Sequence, residues 1–154
     1  MQTLAWRAFG LACAAVFYAI ALSGPAYQLT SPNALPYHEV LRKTYALGAF
    51  AVLGFALQRS RVPRFGGVTA AGIAIAIYSA AIEIGQTVFG SAETLPEHSF
   101  DVASGLIGGA LGAFASVLLD APRAPARRVE ALAIALGFGL LVWFFIGTYA
   151  RLDF

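Results

Sequence analysis

Apolar residues run along this chain in long stretches that are broken by short clusters of prolines, glycines and charges. Five such stretches stand out, at about 4–23, 44–58, 65–87, 100–119 and 131–150. Each is near the roughly 20 residues that a helix needs to cross a hydrocarbon layer of about 30 Å. The second is the short one. It reaches full length only when Glu39, Arg42 and Lys43 occupy its first turns, with the two basic side chains stretching toward the lipid headgroups. The breakers "SGPAYQLTSPNALP", "RSRVPRFGG" and "DAPRAPARR" mark loops between helices. The pattern predicts an all-α fold, a polytopic membrane bundle of about five transmembrane helices.

Composition agrees with the pattern. Of 154 residues, 59% are hydrophobic and 12% charged, well below the charge of a water-soluble domain, and mean hydropathy is +0.74. Five spans and their loops fill the chain as one domain over 1–154 and leave no room for a soluble one. Basic residues lie at helix ends, which speaks to orientation and against nucleic-acid binding. Arg59, Arg61 and Arg64 share one loop and Arg123, Arg127 and Arg128 another, whereas 88–99 has no Lys or Arg. The positive-inside rule then places the N-terminus inside, the loops at 24–43 and 88–99 outside, and the C-terminus outside. Arg42, Lys43 and Arg151 are the exceptions. A basic residue before an apolar run ending in "ALSG" also allows the first span to be a cleaved signal peptide. The lone Cys13 reads as a small packing residue. Tyr18, Tyr27, Trp143, Phe144, Phe145 and Tyr149 suit the outer interface.

Against this background the polar positions are informative. Glu83 interrupts the third stretch, with Gln86 at i+3 and Ser79 at i−4 on the same helical face. An ionisable residue in hydrocarbon is costly and by default marks a functional site facing protein or a watery cavity. Asp101 opens the fourth stretch, where a carboxylate suits the positive end of the helix dipole, and Glu97 and His98 precede it in the loop. The predicted topology brings His38, Glu39, Arg42, Lys43, Glu83, His98 and Asp101 to one side of the membrane, around an outward-facing pocket between the ends of spans two, three and four. In the fourth stretch Ser104, Gly108, Gly112 and Ser116 form one i+4 ridge and Gly105, Gly109 and Ala113 its neighbour, so this helix is the expected centre of the bundle, packed against the third.

An apolar helix ending in Glu83-x-x-Gln86, a short loop, Phe100-Asp101 and the glycine-rich "LIGGALGA" together resemble the VanZ-like membrane proteins over about 35–118. The stretch "HEVLRKTYALGAFAVLGFAL" is similar to that family's first signature. His98 stands where the family commonly has Arg, Ser104 where it often has a second Asp, and Gly108 where Asn is usual. His38 and Glu39 replace its Asp-Lys, and Arg42 its His. The resemblance implies a bacterial cytoplasmic-membrane protein acting on the cell surface, in a family named for low-level resistance to the glycopeptide teicoplanin. It implies no reaction.

Three functions follow as expectations. In the first, the pocket, built from His38, Glu39, Arg42, Glu83, Gln86, His98, Asp101 and Ser104, binds a lipid headgroup or a lipid-linked or cell-wall ligand and influences envelope properties or glycopeptide tolerance. In the second, the chain is a membrane enzyme acting on a lipid-linked substrate, with Glu83 or Asp101 as catalytic acid-base group and Arg42 holding a phosphate. The third, a small transporter, lacks an internal repeat and midplane ionisable residues. No cofactor is expected, and the spacing of His38 and His98 does not support a metal site. Membrane lipids are the expected partners, and oligomeric state is open.

Overall fold

The computed structural model describes residues 2–26, 38–61, 67–89 and 95–120. The described residues contain four long helices and no strand: α1 (Gln2–Ala21), α2 (His38–Arg59), α3 (Val68–Val88) and α4 (Leu95–Asp120), with a short helical stretch at 24–26. The predicted fifth span at 131–150, with Trp143, Phe144, Phe145 and Tyr149, lies outside the described residues, as do Tyr27, Arg64, Arg123, Arg127 and Arg128. Among the described residues, three helical segments are long and apolar enough to cross a membrane, Gln2–Ala21, Val68–Val88 and Glu97–Leu119. The 22-residue α2 is not among them, because its first turns carry Glu39, Arg42 and Lys43.

The helix ends follow from local sequence. After Ala21 the "SGP" segment stops α1, with the Ser23 N–H turning back to the Ile20 carbonyl at 3.0 Å. At the end of α2, Arg61 takes a positive φ of 49°, the left-handed conformation that closes many helices. The start of α4 corrects the expectation from sequence. The helix begins at Leu95 and not near Phe100, so Glu97 and His98 are helical and Asp101 lies in its second turn. A physical reason is Pro96, which suits a first turn because its missing N–H would have no helical partner there.

The packing is inside-out relative to a protein in water. On α3 the buried face is Ala71, Gly72, Ile75, Ser79, Ile82, Glu83 and Gly85, while Ile73, Ile77, Ile84 and Val88 stand exposed along the other side. Small and polar groups face protein and large apolar groups face outward, the arrangement that lipid favours, since packing and interhelical polar bonds hold helices together there. α4 occupies the centre and packs against both α2 and α3. Its two glycine ridges serve different neighbours. Gly108 and Gly112 meet α2, and a Cβ built at Gly112 would run into the Ala51 carbonyl; Gly105 and Gly109 meet α3, where a Cβ on Gly105 would fall 2.6 Å from the Ser79 Cβ. Across the first interface, a Cβ on Gly54 would collide with the backbone of Gly109. The chains cross there at bare backbone.

α1 is different. It has no buried residue and packs mainly against α2, with Cys13, Ala14, Phe17 and Ala21 partly buried against the core of Phe50, Leu53, Ile75 and Ile82. Cys13 is the packing residue expected. Two side chains of α3 tie α1 through its carbonyls: the Tyr78 hydroxyl donates to Ala14 at 2.6 Å and the Gln86 amide to Ala21 at 3.2 Å.

Candidate functional site

Successive helices alternate in direction, so the C-terminal end of α1, the N-terminal end of α2, the C-terminal end of α3 and the N-terminal end of α4 meet at one end of the bundle. Ion pairs lie there. Lys43 Nζ, from the second turn of α2, donates to Asp101 Oδ2 on α4 at 2.6 Å. Glu83 Oε2 on α3 and His98 Nδ1 on α4 are 2.5 Å apart. Lys43, Glu83 and Asp101 are all buried, at 6%, 8% and 7% exposure. At the opposite end lie Arg7, Arg59 and Arg61, where the Arg7 Nε donates to the Ser60 carbonyl at 3.4 Å.

Burial of these charges is tolerable because each meets an opposite or hydrogen-bonding partner. Taking a carboxylate or ammonium out of water costs several kcal/mol, and close pairing with further hydrogen bonds is what offsets it. Lys43 also stands over the Phe100 ring, 5.6 Å from its centroid, a cation–π contact. The segment around Asp101 is fixed from the backbone side, where the Ser79 hydroxyl donates to the Asp101 carbonyl at 2.9 Å.

Beside the pairs is a cavity of about 230 Å³. Arg42, Lys43, Glu83, Gln86 and Asp101 make its polar end. Phe17, Ile20, Ala46, Ala49, Phe50 and Ile82 are among its apolar walls. Gln86 has two roles there: its amide nitrogen holds α1, and its Oε1 is buried with no hydrogen-bond partner among the described residues. An acceptor in that state is uncommon in folded proteins and calls for an explanation.

Of the residues singled out from sequence, the structure brings Arg42, Glu83, Gln86 and Asp101 to the cavity, and His98 to Glu83 behind it. Ser104 is buried on α4 and gives its hydroxyl to the Phe100 carbonyl at 2.9 Å, away from the cavity lining. His38 and Glu39 form the first turn of α2 in backbone, and their side chains lie outside the described residues. Lys43 requires a correction. It does not stretch to the headgroups but turns inward onto Asp101, because a carboxylate on a neighbouring helix is a better partner for an ammonium than a long reach past apolar walls. Its exceptional position against the positive-inside pattern was the available signal. Among the described residues, no three His, Cys, Asp or Glu side chains gather as metal ligands would.

Among the described residues, these features define an all-helical protein with segments able to cross a membrane and a partly enclosed, mainly apolar cavity at one end of the bundle that charged side chains border. No family model, curated protein or solved structure matches the chain.

Proposed function

We propose that this chain is a small multi-pass protein of the bacterial cytoplasmic membrane, a divergent VanZ-like member with five spans, its N-terminus inside and its C-terminus outside. Its cavity lies toward the outer face and binds a polar headgroup or cell-surface molecule, and through that binding it influences envelope properties or tolerance to teicoplanin-type glycopeptides. The observation that carries this reading is the cavity itself: Arg42, Lys43, Glu83, Gln86 and Asp101, from three helices, face one space. Structural ion pairs alone do not require a cavity beside them, and a binding site does. The Glu83-x-x-Gln86 and Phe100-Asp101 segments, which carry the family resemblance, contribute three of those residues.

The test is genetic and chemical together. Glu83→Ala and Asp101→Ala proteins that insert at wild-type levels are expected to alter glycopeptide sensitivity or envelope lipid composition. Normal insertion with both properties unchanged would overturn the proposal.

A second reading is a membrane enzyme acting on a lipid-linked substrate. It is favoured by one observation, the carboxylate of Glu83 lining the cavity while holding the His98 imidazole at 2.5 Å, an arrangement able to relay a proton. Incubation of the purified protein with labelled envelope lipids separates the two: an enzyme releases a product whose formation stops in Glu83→Gln, and a binding protein returns the lipid unchanged.

A further inference from the structure

We infer that the ligand of this cavity is a membrane-borne phosphate lipid, which enters sideways from the bilayer between α1 and α2. This rests on the binding reading above and names its substrate class. Three independent features point to it.

The first is the distribution of polarity. The charged and amide groups gather at one end, and the rest of the lining is apolar. A fully polar headgroup gains nothing from walls such as Phe17, Ala49 and Phe50. Along α2 the lining runs from Arg42 to Phe50, about 12 Å at 1.5 Å per residue. That places a head at one end and the beginning of a chain at the other.

The second is hydrogen-bonding capacity. An ammonium has three donors, and Lys43 spends one on Asp101. With the Phe100 ring over another side, the group still has N–H to give to an acceptor oxygen, and Arg42 lines the same space. A phosphate supplies several acceptor oxygens at once, and charge-assisted bonds to it are strong. Gln86 Oε1 is a buried acceptor without a donor among the described residues, which a headgroup hydroxyl satisfies. Phosphate and hydroxyl together describe a glycerophosphate head.

The third is the position of the mouth. Among the lining residues the exposed ones are Ile20 on α1, at 37%, and Tyr45 on α2, at 54%. The opening therefore lies on the flank of the bundle between those helices. Cavities that enclose a whole drug-sized ligand measure roughly 300–1,000 Å³. At about 230 Å³ this one takes a headgroup and the first methylenes, so the remaining chain lies outside along the Ile20 and Tyr45 flank.

The experiment uses the full chain in neutral maltoside micelles with a trace of phosphatidylglycerol carrying a diazirine in its acyl chain. Photolysis is expected to label the peptides containing Phe17 to Ala21 and Ala46 to Phe50. Unlabelled phosphatidylglycerol competes, whereas glycerol phosphate, inorganic phosphate and diacylglycerol each compete at least about tenfold more weakly, the loss expected when either the charged hydrogen bonds or the buried chain is removed. Lys43→Met with Asp101→Leu, which removes both charges and keeps the volume filled, is expected to lower labelling by about tenfold or more. Competition by glycerol phosphate or inorganic phosphate equal to that of the lipid would refute the lipid class while leaving a binding pocket. Equal competition by diacylglycerol would refute the phosphate. Labelling spread evenly over outward residues such as Ile73 and Ile77, and unchanged in the double variant, would remove the pocket reading as well.

Discussion

The Lys43 and Asp101 pair makes a quantitative prediction. At 2.6 Å, two unit charges in surroundings of effective dielectric about 20 attract by about 6 kcal/mol. Desolvation costs several kcal/mol for each ion, so the net worth of the intact pair is small, while loss of one member leaves the other buried and alone. Lys43→Met is therefore expected to destabilise the bundle by about 3–5 kcal/mol, and Asp101→Leu by a similar amount. The double substitution should recover to within about 1 kcal/mol of wild type, since well-packed apolar side chains commonly replace a buried pair without loss. The coupling between the sites is then at least about 5 kcal/mol. Equilibrium unfolding in mixed micelles, followed by far-ultraviolet circular dichroism, measures all four proteins. Additive single effects, or a Lys43→Met protein as stable as wild type, would show that the ammonium is not buried against the carboxylate and would refute the reasoning.

The remaining predictions concern packing, topology and the cavity. Gly112→Ala and Gly54→Ala each push a methyl group into facing backbone and should destabilise by about 1–3 kcal/mol, whereas Gly48→Ala, with nothing within 4 Å of its Cβ, should be neutral or stabilising by up to about 1 kcal/mol; thermal unfolding in detergent ranks them. Ser79→Ala loses the bond to the Asp101 carbonyl and should cost about 0.5–1.5 kcal/mol by the same measurement. Glu97→Cys and Arg61→Cys, each in a Cys13→Ser background, should react with an impermeant maleimide from opposite sides of intact and inverted membranes, Glu97→Cys from outside; labelling of both from one side would defeat the topology. Ala49→Phe fills the cavity and is expected to reduce lipid labelling by about tenfold without loss of stability beyond about 1–3 kcal/mol; undiminished labelling would show that the lipid binds elsewhere.

Much of this architecture was legible because lipid imposes a simple rule on composition. The stretches at 4–23 and 65–87 correspond to α1 and α3 within a few residues, since prolines, glycines and charges end an apolar run whatever the tertiary contacts. The role of α4 as the centre was legible from its two small-residue ridges, because close approach needs absent side chains and the sequence displays them. Glu83 was legible as a carboxylate with no place in lipid. What escaped was decided between helices. Whether a lysine near a helix end reaches outward or folds inward depends on what the next helix presents, and nothing adjacent to Lys43 in sequence announces Asp101, 58 residues away. The pairing of Glu83 with His98 is of the same kind. The early start of α4 was readable in Pro96 but was masked by the polar character of Glu97 and His98, which resembles a loop when hydropathy alone is weighed.

The contact of Gly54 with the Gly109 backbone has a consequence for assembly. Two smooth helix surfaces inserted separately into a bilayer can slide past each other with little change in van der Waals energy, and glycine ridges repeat every four residues, which offers several near-equivalent alignments. A charged side chain on each partner removes that degeneracy. Displacing α4 by one residue rotates Asp101 by about 100° and shifts it by about 1.5 Å, which leaves two ions in hydrocarbon without each other. The Lys43 and Asp101 pair thus acts as a locating pin, selecting one register out of those the bare crossing would accept.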